Sequence, residues 1–451
     1  MKQLGSRVLR RGMQGPDVAQ LQKKLLDRGF DPGPPNGVFG WLTFEALRQY
    51  QRSASLQVDG VAGRQVFTFL LQDPPLSHRQ IHRVGQGESL AQILRKYNLR
   101  YEALATSNSS QVLSRLYEGQ ELVLPARLVL AYLPPDDQGG LRSLLWHHRS
   151  FSGIASPWFH LNDQGRLEGS IPLEMVNVAE ERNLFLFPVI TNRWNGSYAG
   201  RNFRLACRGR KNRRQLLDQL ASILAQEVVG GLIFDFRRLA WGDARYLSYL
   251  AAGLSRGEKF LYLTLGVHDM QGGQIRPLWG DNYLVLADLF DGLILRFQDE
   301  ERPRAGPVFD EGEASRYIRS LVKLIPGWKL ILYLPTYGWL WRQVVKRPFG
   351  PLWVQERWVE PQLLTYGQIT QLLQKYRVRG AGKTQHDVPM EDGLSRLWLE
   401  TGRSLADKAL LVNKYGLAGV AVWALGWEDG RLWKRLGQNH LVIKRTAGNK
   451  C

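Results

Sequence analysis

The sequence predicts a large α/β domain of eight strands alternating with helices, preceded by two small units, and three observations carry that expectation. Apolar runs recur through residues 128–440, each ending in a polar or glycine-rich loop and followed by a helical stretch. A helix-turn pattern occurs twice within residues 9–71, and the prolines of Asp73-Pro74-Pro75 break the chain after it. At 451 residues the chain exceeds one ordinary domain, and its 44% apolar content with 15 tryptophans can supply a substantial core.

The first unit, residues 1–72, places Val18, Leu21, Leu25 and Leu26 at helical spacing, and Phe44, Leu47 and Tyr50 repeat the pattern. Two related turns accompany the helices, Asn36-Gly37-Val38-Phe39-Gly40 and Asp59-Gly60-Val61-Ala62-Gly63. In each, Asn or Asp before Gly permits a tight turn, and the second Gly lets the chain enter the next helix. With Leu21-Gln22 and Tyr50-Gln51 at the positions of its LQ and FQ pairs, the unit resembles the small three-helix peptidoglycan-binding domain.

Residues 79–126 read as strand, helix, helix, strand. Val84 precedes Gly87-Glu88-Ser89-Leu90, where Ser or Glu can cap a helix carrying Leu90, Ile93, Leu94 and Tyr97. Asn108 ends the second helical region, and the segment from Leu116 to Pro125 closes with a turn and a strand. The pattern V-x-x-G-E-S-L, a late Asn and L-x-x-G-Q-x-L-x-L-P resembles the LysM domain. That resemblance implies glycan contacts from Gly87, Glu88, Ser89 and Leu90 and around Asn108, made largely through backbone groups.

The third unit, residues 128–440, has its apolar runs at 128–133, 153–159, 184–190, 231–236, 260–267, 292–297, 329–335 and 419–424. Periodicity leaves a closed (β/α)8 barrel and an open doubly wound sheet as alternatives. The stretch Gly230-Gly231-Leu232-Ile233-Phe234-Asp235-Phe236-Arg237 resembles the D-G-x-D-x-D-x-E strand of glycoside hydrolase family 18, the chitinase-like family. Tyr337-Gly338-Trp339 resembles the end of its seventh strand, Leu397-Trp398-Leu399-Glu400 with Ser404 and Lys408 its V-W-F-E-x-x-x-S-x-x-x-K segment, and Gly419 to Gly426 its eighth strand. The resemblance decides for the TIM barrel. With the two small domains in front, the whole is similar to bacterial spore cortical fragment-lytic enzymes.

In family 18 the last Glu of the strand motif protonates the glycosidic oxygen, the preceding Asp orients the acetamido group that acts as nucleophile, and a Tyr within M-x-Y-D holds its carbonyl. Arg237 stands at the acid position, and only Asp235 survives of the motif's carboxylates. Leu295-Arg296-Phe297-Gln298, set against M-x-Y-D, puts Phe297 at the position of the Tyr. No catalytic set is therefore intact, and the resemblance implies a pseudoenzyme that holds glycan. The alternatives are an N-acetylglucosaminidase whose acid has moved, with Asp243, Asp269, Asp299 and Glu300 nearby and His268 read as a loop histidine, and a scaffold for a partner protein. An Arg237–Asp235 ion pair, or a ligand carboxylate on Arg237, is the expected use of the remnant. Trp194, Trp241, Trp339, Trp341, Trp423 and Trp427 fall at or after strand ends, and Trp339 and Trp423 are assigned to glycan binding.

The formal charge of +19 points to polyanionic partners. With no zinc-finger spacing or nucleic-acid motif, peptidoglycan or spore cortex is preferred to nucleic acid, and to chitin-like glycans because of the first unit. No metal site and no cofactor are expected. Cys207 and Cys451 are too few for a disulfide framework and fit a reducing compartment. Residues 1–20 have basic residues without an apolar core after them, and no run reaches membrane-spanning length. The expectation is a protein without a signal peptide, made in the bacterial cytoplasm and deposited on the spore or cell wall, with residues 441–451 a basic tail.

Overall fold

A computed structural model of the protein describes residues 4–27, 30–53, 56–63, 66–67, 70, 79–105, 107–108, 110–135, 137–254, 259–266, 282–297, 305–346, 355–380, 383–390 and 393–444. Among them, no helix is long and apolar enough to cross a membrane.

The internal repeat of the first unit is a repeated hydrogen-bond device. Helices Pro16–Asp27 and Trp41–Ser53 each carry one glutamine that is almost wholly buried, Gln22 and Gln51. Gln22 accepts from the Gly37 N–H at 2.9 Å and donates to Val38 O at 3.0 Å; Gln51 accepts from Gly60 N–H at 2.8 Å and donates to Val61 O at 3.0 Å. Glycine is required in both turns because Gly37 and Gly60 lie at φ +75° and +70°, and a Cβ on Gly60 would meet the Phe44 ring at 2.1 Å. Leu9, Val18, Leu21, Leu25, Phe39, Leu47 and Tyr50 fill the core, whereas Leu26, expected among them, is exposed. Gln51→Ala strands the buried Gly60 N–H and should destabilise this unit by about 1–3 kcal/mol, seen as an earlier first transition in calorimetry of the full chain.

In the second unit, strand Arg79–Arg83 runs antiparallel to residues 121–125. Helix Leu90–Tyr97 begins at Ser89, whose side chain and Gln92 form a reciprocal capping box, and ends at Asn98 in the left-handed region. Two short helices follow, Tyr101–Ala105 and Ser110–Ser114, one more than the sequence pattern suggested.

The strand that closes this unit does not stop. β1 (Glu121–Tyr132) continues into the large domain as its first barrel strand. β2 (Gly153–Leu161), β3 (Phe185–Thr191), β4 (Gly231–Asp235), β5 (Phe260–Gly266), β6 (Gly292–Arg296), β7 (Leu330–Pro335) and β8 (Gly419–Trp423) complete a parallel sheet. Its neighbours run in sequence order, and β1 pairs with both β2 and β8, so the barrel is closed. An open sheet is excluded. Each of the eight expected runs supplies one strand.

Alternation along the strands separates two apolar layers. Leu130, Phe187, Val189, Ile233, Tyr262, Ile294, Ile331 and Tyr333 fill the lumen, while Leu232, Phe234, Leu263, Leu293, Leu295 and Leu332 pack against the surrounding helices. Between β7 and β8 the chain builds a four-stranded antiparallel sheet from Gly338–Lys346, Gln355–Leu364, Gln385–Met390 and Gly393–Leu399, with helix Tyr366–Lys375. Just after it, Glu400 is buried and accepts from Ser404 Oγ at 2.7 Å and Lys408 Nζ at 2.5 Å. Burial pushes its carboxyl up, against the pull of Lys408.

Residues 441–444, expected as the start of a basic tail, pack against the barrel. Leu441–Val442 pairs with Ala126 and Arg127 of β1, and Lys444 Nζ donates to the carbonyls of His148 and Phe151 at 2.8 and 2.6 Å. Residues 445–451 lie outside the described residues.

Candidate functional site

The polar groups of the barrel gather at the carboxyl ends of β3, β4 and β6, the end where barrels of this kind present their ligands. Parity on β4 turns Ile233, Asp235 and the following Arg237 inward, since Leu232, Phe234 and Phe236 all belong to the layer under the helices. Asn192, after β3, clamps the end of β4 from both sides: its amide donates to Arg237 O at 2.8 Å and accepts from Arg237 N at 2.9 Å. The hairpin Arg193–Trp194 and Ser197–Tyr198 then brings Tyr198 over the mouth.

Asp235 is the hub. Tyr198 Oη donates to its Oδ2 at 3.2 Å, Arg237 Nη2 approaches Oδ2 at 3.5 Å, and Arg296 Nη1 lies 3.3 Å from Oδ1. The ion pair expected between Arg237 and Asp235 is thus present, but it is one half of a pair shared with Arg296. Arg237 also lays its guanidinium 4.0 Å from the centre of the Tyr198 ring. The three charged side chains are 14%, 12% and 7% exposed for Asp235, Arg237 and Arg296. Burial alone would push the Asp235 carboxyl up; Arg237 and Arg296, with the bonds from Arg237 and Tyr198, outweigh it and hold the group below the usual carboxylate range.

Phe297 requires a correction. It lies outside the lumen, edge-on to Phe309 and Tyr317 at 5.7 Å each, packed on the layer under the helices. Because Ile294 points into the lumen, the inward residue two further along β6 is Arg296. The site therefore holds a second arginine where sequence comparison had set a phenylalanine. Arg296, Tyr198 and Asn192 are the members that sequence reasoning missed.

The tryptophans divide. Trp423, at the end of β8, is partly buried beside Tyr132 at 5.4 Å and Trp427 at 6.2 Å, and touches the lumen layer. Trp339 belongs to the inserted sheet and is only 5% exposed, packed with Tyr337, Trp341 and Trp398. As placed, it offers no open face to a sugar. The Trp194 ring lies tilted against His160, 5.0 Å between centres, and the Trp241 side chain lies outside the described residues.

Of the carboxylates considered for a relocated acid, Asp243 is buried and committed, accepting from Arg204 Nη1 at 2.7 Å and from the Ala240 N–H at 2.8 Å. His268, Asp269, Gln298, Asp299 and Glu300 lie outside the described residues. No cluster of metal-ligating side chains occurs among the described residues.

In the second unit, Asn108 is buried and spends its amide on Leu104 O, Val123 O and the Val123 N–H, at 2.8 to 2.9 Å. It acts as a structural clamp rather than a ligand contact. Glu88 accepts from Gly85 N–H at 2.9 Å and pairs with His82 at 2.8 Å, and the Gly85 bond is the chief reason its carboxyl sits low. Ser89 caps the helix and Leu90 leans on the small core. Gly87, at φ +68° and exposed, leaves the backbone of this turn open to a ligand.

Residues 14–70 match the peptidoglycan binding domain family, and residues 82–125 match the LysM domain family. The two N-terminal units are a peptidoglycan binding domain and a LysM domain. Over 309 residues, 66% of this chain and 88% of the relative, the protein is 22% identical to the uncharacterized glycosylase YvbX of Bacillus subtilis. It is 43% identical to the spore cortex-lytic enzyme of Bacillus cereus over 67 residues, 15% of this chain and about a quarter of that enzyme, 26%. Among solved structures, the spore cortex-lytic enzyme SleL of Bacillus cereus superposes with a TM-score of 0.60 at 20% identity, covering 82% of this chain and 88% of that one. A chitinase from Chromobacterium violaceum does so with a TM-score of 0.59 at 22% identity, covering 70% and 99%. The barrel behind the LysM domain thus has the fold of SleL and of chitinases.

Proposed function

We propose that this protein binds peptidoglycan or spore-cortex glycan containing N-acetylglucosamine, and that its barrel holds the glycan without cutting it. One observation carries the second half: the inward positions at the ends of β4 and β6 are both arginine. A guanidinium stays protonated and has no proton to give at working pH. The missing general acid is worth about 10²- to 10⁴-fold, or roughly 3–6 kcal/mol of barrier. Two fixed cations also oppose the positive charge that develops on the sugar ring during glycoside cleavage.

The peptidoglycan binding domain and the LysM domain support a wall glycan as the ligand and association with the cell wall or spore as the setting. YvbX, named a glycosylase, supports the same class of ligand. In the LysM domain the contacts are assigned to the Gly87–Leu90 turn, and in the barrel to Trp423. Incubating the pure protein with cortex fragments and chitooligosaccharides, and following new reducing ends by mass spectrometry, should give no turnover. Sustained turnover that Asp235→Asn abolishes would establish hydrolysis instead.

A further inference from the structure

Half of the fourteen residues from Arg201 to Arg214 are Arg or Lys, seven in all, and none is acidic. They fall on the two helices between β3 and β4, Gly200–Ala206 and Gly209–Leu224, whose inner faces are set by Phe203, Leu216, Leu220 and Ile223 in the layer outside the barrel. Helical periodicity then turns the cations outward. Arg201, Arg204, Arg208, Arg210, Lys211 and Arg214 are all exposed.

Local ties hold this surface in shape. Arg204 meets Asp243, in the loop after β4, at 2.7 Å, and Arg213 donates to Cys207 O at 3.2 Å with its guanidinium 5.3 Å from the centre of the Tyr249 ring on the next helix. Arg214 pairs with Asp218 at 3.0 Å, one turn along the same helix. Both partners of that pair are exposed, the kind of contact that contributes little.

The charge runs against what the helix itself prefers. Gly209–Leu224 has no side-chain cap at Arg208 and no acid in its first turn, where the helix dipole favours negative groups, yet Arg210 and Lys211 stand there. Helix stability therefore does not account for the pattern. Attraction to a partner with closely spaced acids does, and six of the seven cations are arginine, whose planar fork takes a carboxylate through two parallel bonds.

We propose that the outer face of these two helices is a docking surface for the peptide carboxylates of peptidoglycan, the polymer for which the domain at residues 14–70 is named. This rests on the wall-binding reading and adds to it a contact made by charge on the barrel itself. The surface starts at Gly200, directly after the hairpin that carries Tyr198, so it borders the barrel mouth.

The test measures depletion of the full chain by insoluble peptidoglycan freed of phosphodiester polymers, before and after its carboxyls are converted to amides. Salt is held at about 0.15 M, where exposed charges more than about 8 Å apart are largely screened. One variant carries Arg201→Gln, Arg208→Gln, Arg210→Gln and Lys211→Gln. A second loses the same charge at exposed positions elsewhere, through Lys323→Gln, Arg379→Gln, Arg403→Gln and Lys434→Gln. Amidation should weaken binding of the unmodified protein and of the second variant by about tenfold, the sum of several modest exposed pairs, and leave binding of the first variant unchanged. Equal losses in all three proteins place the carboxylate contact elsewhere and overturn the surface. A response lost equally in both variants reflects net charge and overturns it too. Tighter binding of duplex DNA than of peptidoglycan, weakened in the first variant alone, assigns the surface to nucleic acid instead. If the unmodified protein binds both forms of peptidoglycan equally, the surface falls with no variant needed and the wall-binding reading stands, whereas failure to bind either form removes both.

Discussion

Asp235→Asn should destabilise the barrel by about 3–5 kcal/mol, the loss expected when one partner of a buried ion pair is removed and the other charges remain. The substitution preserves shape and can keep the bond from Tyr198, so nearly all of the effect comes from the carboxylate that Arg237 and Arg296, 12% and 7% exposed, lose. Urea unfolding followed by circular dichroism measures it as a lower midpoint at unchanged slope. The pH dependence has a definite sign. Because the folded Asp235 carboxyl titrates below the usual range, its stabilisation is complete above the unfolded carboxylate value, about 4, and is lost as pH falls through the folded value. The gap between the unmodified protein and Asp235→Asn should therefore be flat from neutral pH down to about 4 and close only in stronger acid. A residue retained for acid–base chemistry would give the opposite result, with activity lost and the unfolding midpoint nearly unmoved.

The barrel strands were legible in the sequence because each is a short apolar run bounded by a polar loop, a pattern that depends little on neighbours. Parity was not. Leu293, Ile294 and Leu295 are apolar on both faces, as strands of a barrel lined inside and covered outside must be, so nothing local says whether Arg296 or Phe297 turns inward. The aromatic residue looked like the better heir to a tyrosine, and packing under Phe309 and Tyr317 decides otherwise. Trp339 failed for a related reason. It follows an apolar strand end, but the chain enters an inserted sheet at Gly338, whose alternating pattern is interleaved with more barrel-like runs. The division expected near residue 127 is crossed by a single strand, since Pro125 reads as a stop although β1 passes through it. Asn108, expected at the end of the second helical region, lies between helices Tyr101–Ala105 and Ser110–Ser114, and its use was invisible because its acceptors come from Leu104 and from Val123, fifteen residues on.

Restoring the acid alone should not restore cleavage. In Arg237→Glu the new carboxyl would lie on the inward row beside Arg296, which already approaches Asp235 at 3.3 Å. A buried guanidinium at that range favours the ionised form of its carboxylate neighbours, whereas a general acid must hold its proton near working pH. Arg296 would also keep a positive charge where the sugar becomes cationic. The double substitution Arg237→Glu with Arg296→Tyr removes both obstacles, supplies a hydroxyl at the inward end of β6 and leaves Asp235 to share a proton with the new Glu. Its turnover of chitooligosaccharides, read as new reducing ends, should exceed that of Arg237→Glu by about 10²-fold or more, within the range a positioned acid contributes. Comparable circular dichroism spectra and unfolding midpoints for the two variants exclude a folding difference. If Arg237→Glu by itself turns over as fast as the double variant, Arg296 is not an obstacle, and the proposed lack of cleavage would rest on the end of β4 alone.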